Sequence, residues 1–235
     1  MDISKMDVPK ACPYTLGSPS AHLAKQGLTR RAFLAGTSLG TLAAGTIVVP
    51  RLAWSSAKVG EPAPVFSALA TTGKNVALAD QRGKLVVLEW TNHDCPYVRK
   101  HYDTANMQGL QKEAAGRGVV WLTVISSSPG TQGFVTAAQA DELTTSRKAG
   151  PTAVLLDPTG AVGKMYGATN TPHMYVVDKA GLLVYAGAID DRPTSRRADV
   201  PGATNYVRAA LDAVAAGQPV KTPVTRAYGC TVKYS

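Results

Sequence analysis

The sequence predicts an α/β layer sandwich: a central mixed β-sheet flanked by helices, with an N-terminal hairpin extension. Three observations carry that prediction. Residues 85–90 and 119–125 are apolar runs, interrupted at most by a single polar residue, as expected of strands buried on both faces. Helical periodicity follows each run. A strand hairpin and a last amphipathic helix complete the order strand, helix, strand, helix, hairpin, helix.

Gly60-Glu61-Pro62-Ala63-Pro64 is a stiff lead-in, and residues 65–78 read as a hairpin turned at Thr72-Gly73-Lys74-Asn75. Arg82-Gly83-Lys84 turns into the first central strand, 85–90. Residues 97–115 read as one helix, with Val98, Tyr102, Ala105, Leu110 and Ala114 near helical spacing and Gly116 and Gly118 closing it. The second buried strand is 119–125. A helix over 134–149 is ended by Gly150-Pro151. Residues 153–156 form a short strand and 161–166 a helical turn. Strands 174–177 and 182–186 form a hairpin around Asp178-Lys179-Ala180-Gly181. Residues 205–216 are the last helix, stopped by Gly217 and Pro219.

The first quarter of the 235-residue chain reads differently. Thr29-Arg30-Arg31-Ala32-Phe33-Leu34 precedes a mild apolar run, 35–49, rich in Gly, Ala and Thr. This resembles a twin-arginine export signal, with small residues for cleavage at Ser55-Ser56-Ala57. The resemblance implies passage through the twin-arginine translocon to a bacterial periplasm or cell exterior, where disulfides are permitted. An uncleaved signal would leave the protein membrane-anchored, although the run is short for a full span. The expected domains are the export signal 1–57, a domain over 58–218 and a C-terminal tail, 219–235. Of the net charge of +9, residues 1–57 contribute +4. The remaining basic residues are dispersed and not interleaved with aromatics, so nucleic-acid binding is not expected. Cys12 would leave with the signal, so that Cys95 and Cys230 remain.

Cys95 stands where an apolar strand gives way to a short polar turn, and Pro96 suits the first position of a following helix. Unpaired N–H groups and partial positive charge at a helix N-terminus stabilise a thiolate, and Arg99, Lys100 and His101 add to that charge. A lone cysteine among apolar residues also reads as a small inert core residue. His93 and His101 are candidates to share a proton with Cys95, or else solvated surface residues. His93, Cys95 and His101, with Cys230, offer an alternative reading as a copper or zinc site, at a spacing that matches no familiar metal motif. Asp190-Asp191 with Arg192, Arg196 and Arg197 reads as a solvated loop. No phosphate-cradling glycine loop, cofactor motif or Ser-His-Asp arrangement stands out.

With its cysteine at the first strand-to-helix turn, the chain resembles the thioredoxin fold from about Gly60 to Gln218. Thr171-Pro172 occupies the place where thioredoxin-like proteins carry a cis-proline beside the active cysteine, whereas an ordinary trans proline at an edge strand is the bland alternative. The resemblance implies that Pro172 shapes a groove and that Thr171 pairs with a bound extended peptide. Gly60-Glu61-Pro62-Ala63-Pro64-Val65-Phe66, with Gly83-Lys84-Leu85-Val86-Val87, resembles the peroxiredoxin and redoxin branch. Asn92-His93-Asp94-Cys95-Pro96-Tyr97-Val98-Arg99-Lys100-His101-Tyr102-Asp103 and the tail Tyr228-Gly229-Cys230-Thr231-Val232-Lys233-Tyr234 resemble a peroxiredoxin-like redoxin group related to the AhpC/TSA family. Its members keep one cysteine at the first thioredoxin cysteine position.

Two departures bear on mechanism. Cys95-Pro96-Tyr97-Val98 has valine where a dithiol motif has its second cysteine. The peroxidase pattern Pro-x-x-x-Thr/Ser-x-x-Cys meets Leu88 and Asn92, with Thr91 one place out of register. Cys230 is therefore pivotal. It resolves a mixed disulfide on Cys95, holds a static disulfide with it, or never meets it. The leading functional reading is an exported thiol–disulfide oxidoreductase acting on a protein or small-molecule disulfide or thiol, with an external reductant and no cofactor. Thiol peroxidase, metal-binding module and non-catalytic binding domain are the alternatives.

Overall fold

The computed structural model describes residues 56–235. Arg30-Arg31, the apolar run after them, Cys12 and Ser55 lie outside the described residues. Among the described residues, no helix is long and apolar enough to cross a membrane.

The chain runs β1 (Ser67–Ala70), β2 (Asn75–Ala77), β3 (Val86–Trp90), α1 (Pro96–Asp103), α2 (Asn106–Gly116), β4 (Val120–Ile125), α3 (Ala137–Ser146) and β5 (Ala153–Leu156). It continues through α4 (Ala161–Tyr166), β6 (Asn170–Thr171), β7 (His173–Val177), β8 (Leu183–Gly187), α5 (Tyr206–Ala215) and β9 (Cys230–Thr231). Seven strands form one mixed sheet in the order β2-β1-β5-β4-β3-β7-β8. Strand β3 lies parallel to β4 and antiparallel to β7, and β5 is parallel to β4. This is the thioredoxin-like arrangement, with the β1–β2 hairpin added at one edge.

Side chains alternate across β3, which is buried on both faces. Val86, Leu88 and Trp90 join one core with Leu122, Val124, Tyr166 and Tyr175. Leu85 and Val87 join the other core with Cys95, Met107, Leu110, Trp121, Val207 and Leu211, under α1, α2 and α5. Each such apolar side chain contributes about 1.5–3 kcal/mol by leaving water.

The expected single helix over 97–115 is two helices. Ala105 takes a left-handed φ of 58°, and the Thr104 hydroxyl donates to the Lys100 carbonyl at 2.8 Å. The Tyr102 carbonyl accepts the Ala105 N–H at 3.1 Å and the Gln108 side chain at 2.9 Å, where an uninterrupted helix would offer it the Asn106 N–H. The expected helix over 134–149 starts later. Thr136 and Gln139 form a capping box that sets its first turn. The remaining elements lie within about two residues of expectation, but the short β6–β9 ladder was not foreseen.

Candidate functional site

Cys95 caps α1 in an extended conformation, with Pro96 in its first turn. Asn92 shapes the approach. Its side-chain oxygen accepts from the Asp94 N–H at 2.9 Å, and its carbonyl accepts from the Cys95 N–H at 3.1 Å. The Cys95 thiol is fully buried and donates to the Thr171 carbonyl across 3.1 Å. The Thr171-Pro172 peptide bond is cis, as the resemblance implied.

The tail folds back over this point. Residues 223–225 pair in parallel with β8 at Ala186, the Thr225 N–H bonded to the Ala186 carbonyl and its hydroxyl accepting from the Ala188 N–H at 2.8 Å. Tyr228 donates to Asp190. Gly229 sits at φ +114°, where an added Cβ would lie 2.1 Å from the Thr171 oxygen and 3.2 Å from the Tyr97 Cβ. Only glycine fits that pinch. Cys230 and Thr231 then pair antiparallel with Thr171 and Asn170, so Cys230 stands opposite Thr171. Val232 N–H bonds the Thr169 carbonyl at 3.0 Å, and Tyr234 donates to the Ala168 carbonyl at 2.6 Å.

The structure thus brings Cys95 and Cys230 together, both as free thiols. Burial pushes the Cys230 thiol up to about 12. Its hydrogen bond with Cys95 and the charge that Cys95 can carry push in the same direction, against a smaller opposing effect of Lys233.

The other expected site residues divide. Pro96 and Tyr97 frame the site, the Tyr97 ring lying 5.9 Å from that of Tyr228. Arg99 is exposed on α1. His93 sits at the rim, its Nε2 3.3 Å from Asp94 and its carbonyl accepting from Arg147. His101 corrects both expectations for it, being neither solvated nor bonded to Cys95. It is fully buried, with Nδ1 accepting from Asn106 at 2.8 Å and Nε2 3.2 Å from the Tyr228 hydroxyl. Asn106, as the donor, assigns the proton to Nε2, so a chain of bonds runs Asn106, His101, Tyr228, Asp190. Burial, with Lys100 beside it, holds the His101 pKa at about 3. The metal reading is corrected as well. Among the described residues, no three His, Cys, Asp or Glu side chains gather as they would around an ion.

Asp190 corrects the solvated-loop reading. It is 2% exposed and lies 3.5 Å from the buried Lys100 Nζ, 3.8 Å from His101 Nε2 and within bonding distance of the Tyr228 hydroxyl. Lys100 also donates to the Arg192 carbonyl at 2.8 Å. This cluster fastens the tail two residues before Cys230.

Sequence reasoning also passed over Glu89, fully buried in β3 on the face that carries Cys95. It accepts from Tyr102 at 2.8 Å, Trp121 at 2.8 Å, Thr123 at 3.2 Å and Gln111 at 3.3 Å. A charged residue inside an apolar run was the available signal. Asp190 offered none, because its partners come from distant segments.

A crystal structure of an uncharacterized conserved protein from Geobacillus kaustophilus is similar at TM-score 0.67 and 25% identity, over 76% of this chain and 93% of that one. A hypothetical protein from Sinorhizobium meliloti 1021 is similar at TM-score 0.64 and 26% identity, over 77% and 97%. A thioredoxin domain of a thiol-disulfide oxidoreductase from Bacteroides vulgatus is similar at TM-score 0.45 and 20% identity, over 56% and 89%, too loosely to bear on function. No curated protein matches. The AhpC/TSA family model matches residues 59–186, from the lead-in through β8, and the chain belongs to that family.

Proposed function

We propose that the protein is an exported thiol–disulfide oxidoreductase in which Cys95 is the nucleophile and Cys230 the resolving thiol. Residues 1–57 serve as a twin-arginine export signal, 58–218 as the redoxin domain and 219–235 as the tail that carries the second cysteine. The observation that carries the reading is the register of β9 on β6, which seats Cys230 opposite Thr171 while Thr171 accepts from the Cys95 thiol. A cysteine missing from the helix turn at Val98 is thereby supplied from the tail.

In the cycle, the Cys95 thiolate attacks a substrate disulfide. A new S–S bond forms, and the displaced substrate sulfur leaves as a thiolate that takes up a proton. Cys230 then attacks the Cys95 sulfur, releasing the second substrate thiol and leaving a Cys95–Cys230 disulfide. The substrate gains two electrons, and an external dithiol later returns them to the protein. The raised Cys230 pKa supports this order. Burial, the largest cause, belongs to the tail's seat, whereas the two that come from the free Cys95 thiol vanish once Cys95 is bonded to substrate, which eases thiolate formation at Cys230 at that step.

The test is a thiol count on purified protein before and after mild reduction, with mass mapping of any link. A reversible Cys95–Cys230 link with a midpoint of roughly −120 to −270 mV is expected. Persistently free thiols at both positions under oxidising conditions would remove Cys230 from the cycle.

A further inference from the structure

Resting on that reading, we infer that the tail is an internal competitor, seated on the strand where the resemblance places an extended substrate, and that this seat selects a Gly–Cys sequence. The tail is itself an extended, cysteine-bearing polypeptide seated beside Cys95. Its backbone pairs with β6 at Asn170–Thr231 and Thr171–Cys230. The Asn170 side chain donates to the Gly229 carbonyl at 2.9 Å, and the Thr171 hydroxyl lies 3.4 Å from the Cys230 carbonyl. These contacts read backbone and leave side chains free, as in strand addition to a sheet edge. The exception is the position before the cysteine, where the Thr171 oxygen and Tyr97 leave no room for a Cβ.

Cys95 has no exposed surface while the tail is seated, so an incoming chain must take the tail's place. A substrate segment would lay its cysteine where Cys230 now lies. Its disulfide would exchange with Cys95, its partner sulfur leaving as a thiol. Cys230 can attack only by returning to the same strand position. Resolution of the mixed disulfide and expulsion of the reduced polypeptide are then one event.

The test uses the full chain carrying Cys12→Ser and Cys230→Ser, so that Cys95 is its sole thiol. The probes are 2-thiopyridyl mixed disulfides of free cysteine and of the heptapeptide Tyr-Gly-Cys-Thr-Val-Lys-Tyr, with reaction followed by thiopyridone release. Adding Gly229→Ala unseats the tail, and Tyr228→Phe loosens it without touching the pinch. Circular dichroism checks that each variant folds. Loosening is expected to speed both reactions about tenfold, by raising the fraction of open sites, and the heptapeptide is expected to react distinctly faster than free cysteine in each variant. A heptapeptide with Ala before its cysteine is expected to react no faster than free cysteine. Equal rates for all probes in the loosened variants would make the tail a lid without a docking strand, and no acceleration in either variant would mean that it closes nothing. Both outcomes overturn the inference. Failure of Cys95 to react with any probe in any variant would instead overturn its role as the nucleophile.

Discussion

Two buried carboxylates draw on the same helix and are satisfied in opposite ways. Glu89 meets neutral donors, among them Tyr102 of α1, and forms part of the sheet itself. Asp190 meets Lys100 and His101 of α1, together with the Tyr228 hydroxyl of the tail. Burial raises the Glu89 pKa, only partly offset by its four donors. Near Asp190, burial lowers the Lys100 pKa against the pull of the carboxylate. One part of the site is therefore fixed and the other can move. The partners of Glu89 come from α1, α2 and β4, which pack together in the core, so that cluster opens only when the domain unfolds. The Asp190 cluster spans three segments distant in sequence, and it can open by giving up the tail alone.

The largest effect is expected at Glu89. Glu89→Ala strands four buried donors and leaves a cavity, for a loss on the order of 5 kcal/mol. Glu89→Gln keeps the volume and should cost distinctly less. Urea unfolding measures both. If the comparison holds, tryptic cleavage in the tail of Glu89→Ala keeps pace with global unfolding. Cleavage that precedes unfolding would place Glu89 in the tail's support as well.

Asp190→Ala should cost less in total, about 3 kcal/mol, because it removes one partner of a buried ion pair. Its effect should be uneven. Arg226 is exposed on the tail, and trypsin should cut there well before the domain unfolds. Cleavage and unfolding that shift together would break the distinction between the two carboxylates.

How far the sequence led follows from the same contrast. The buried strands and most helices were legible because period-two and helical patterns are local, and a match to 59–186 covers that patterned part. Cys95, Pro96 and the cis Thr171-Pro172 bond were legible through motif and resemblance. The helix break at Ala105 was not, because no glycine or proline marks it and the competing bonds come from Thr104 and Gln108 side chains. Tyr228, Lys100 and Asp190 were not, because they lie up to 128 residues apart and carry no pattern of their own. His101 shows the cost of local reading. Its basic neighbours suggest solvent, whereas the fold seals it between Asn106 and Tyr228.

The smallest effect is expected from pH, and it should separate the two clusters by sign. The folded His101 pKa is about 3, below its ordinary 6.5. Between those values the unfolded chain binds a proton that the folded chain refuses, so stability falls as pH drops from 6.5 toward 3. At pH 5 the loss from this group is about 2 kcal/mol. His173, held at about 4 by burial, acts in the same direction. Glu89 acts the other way. Its pKa is raised above 4.5, so its contribution is whole below 4.5 and declines as pH rises through the folded value. Acid should therefore weaken the fastening of the tail while sparing the Glu89 cluster. Hydrogen exchange, corrected for its intrinsic pH dependence, should show the amides of residues 224–232 losing protection at pH 5 before those of β3. His101→Gln should remove most of that difference, and His173→Gln should leave it in place because His173 has no bond to Tyr228. A tail that keeps its protection at pH 5 relative to β3 would mean that its hold depends on the β6–β9 ladder and Thr225, with His101 only a packed core residue.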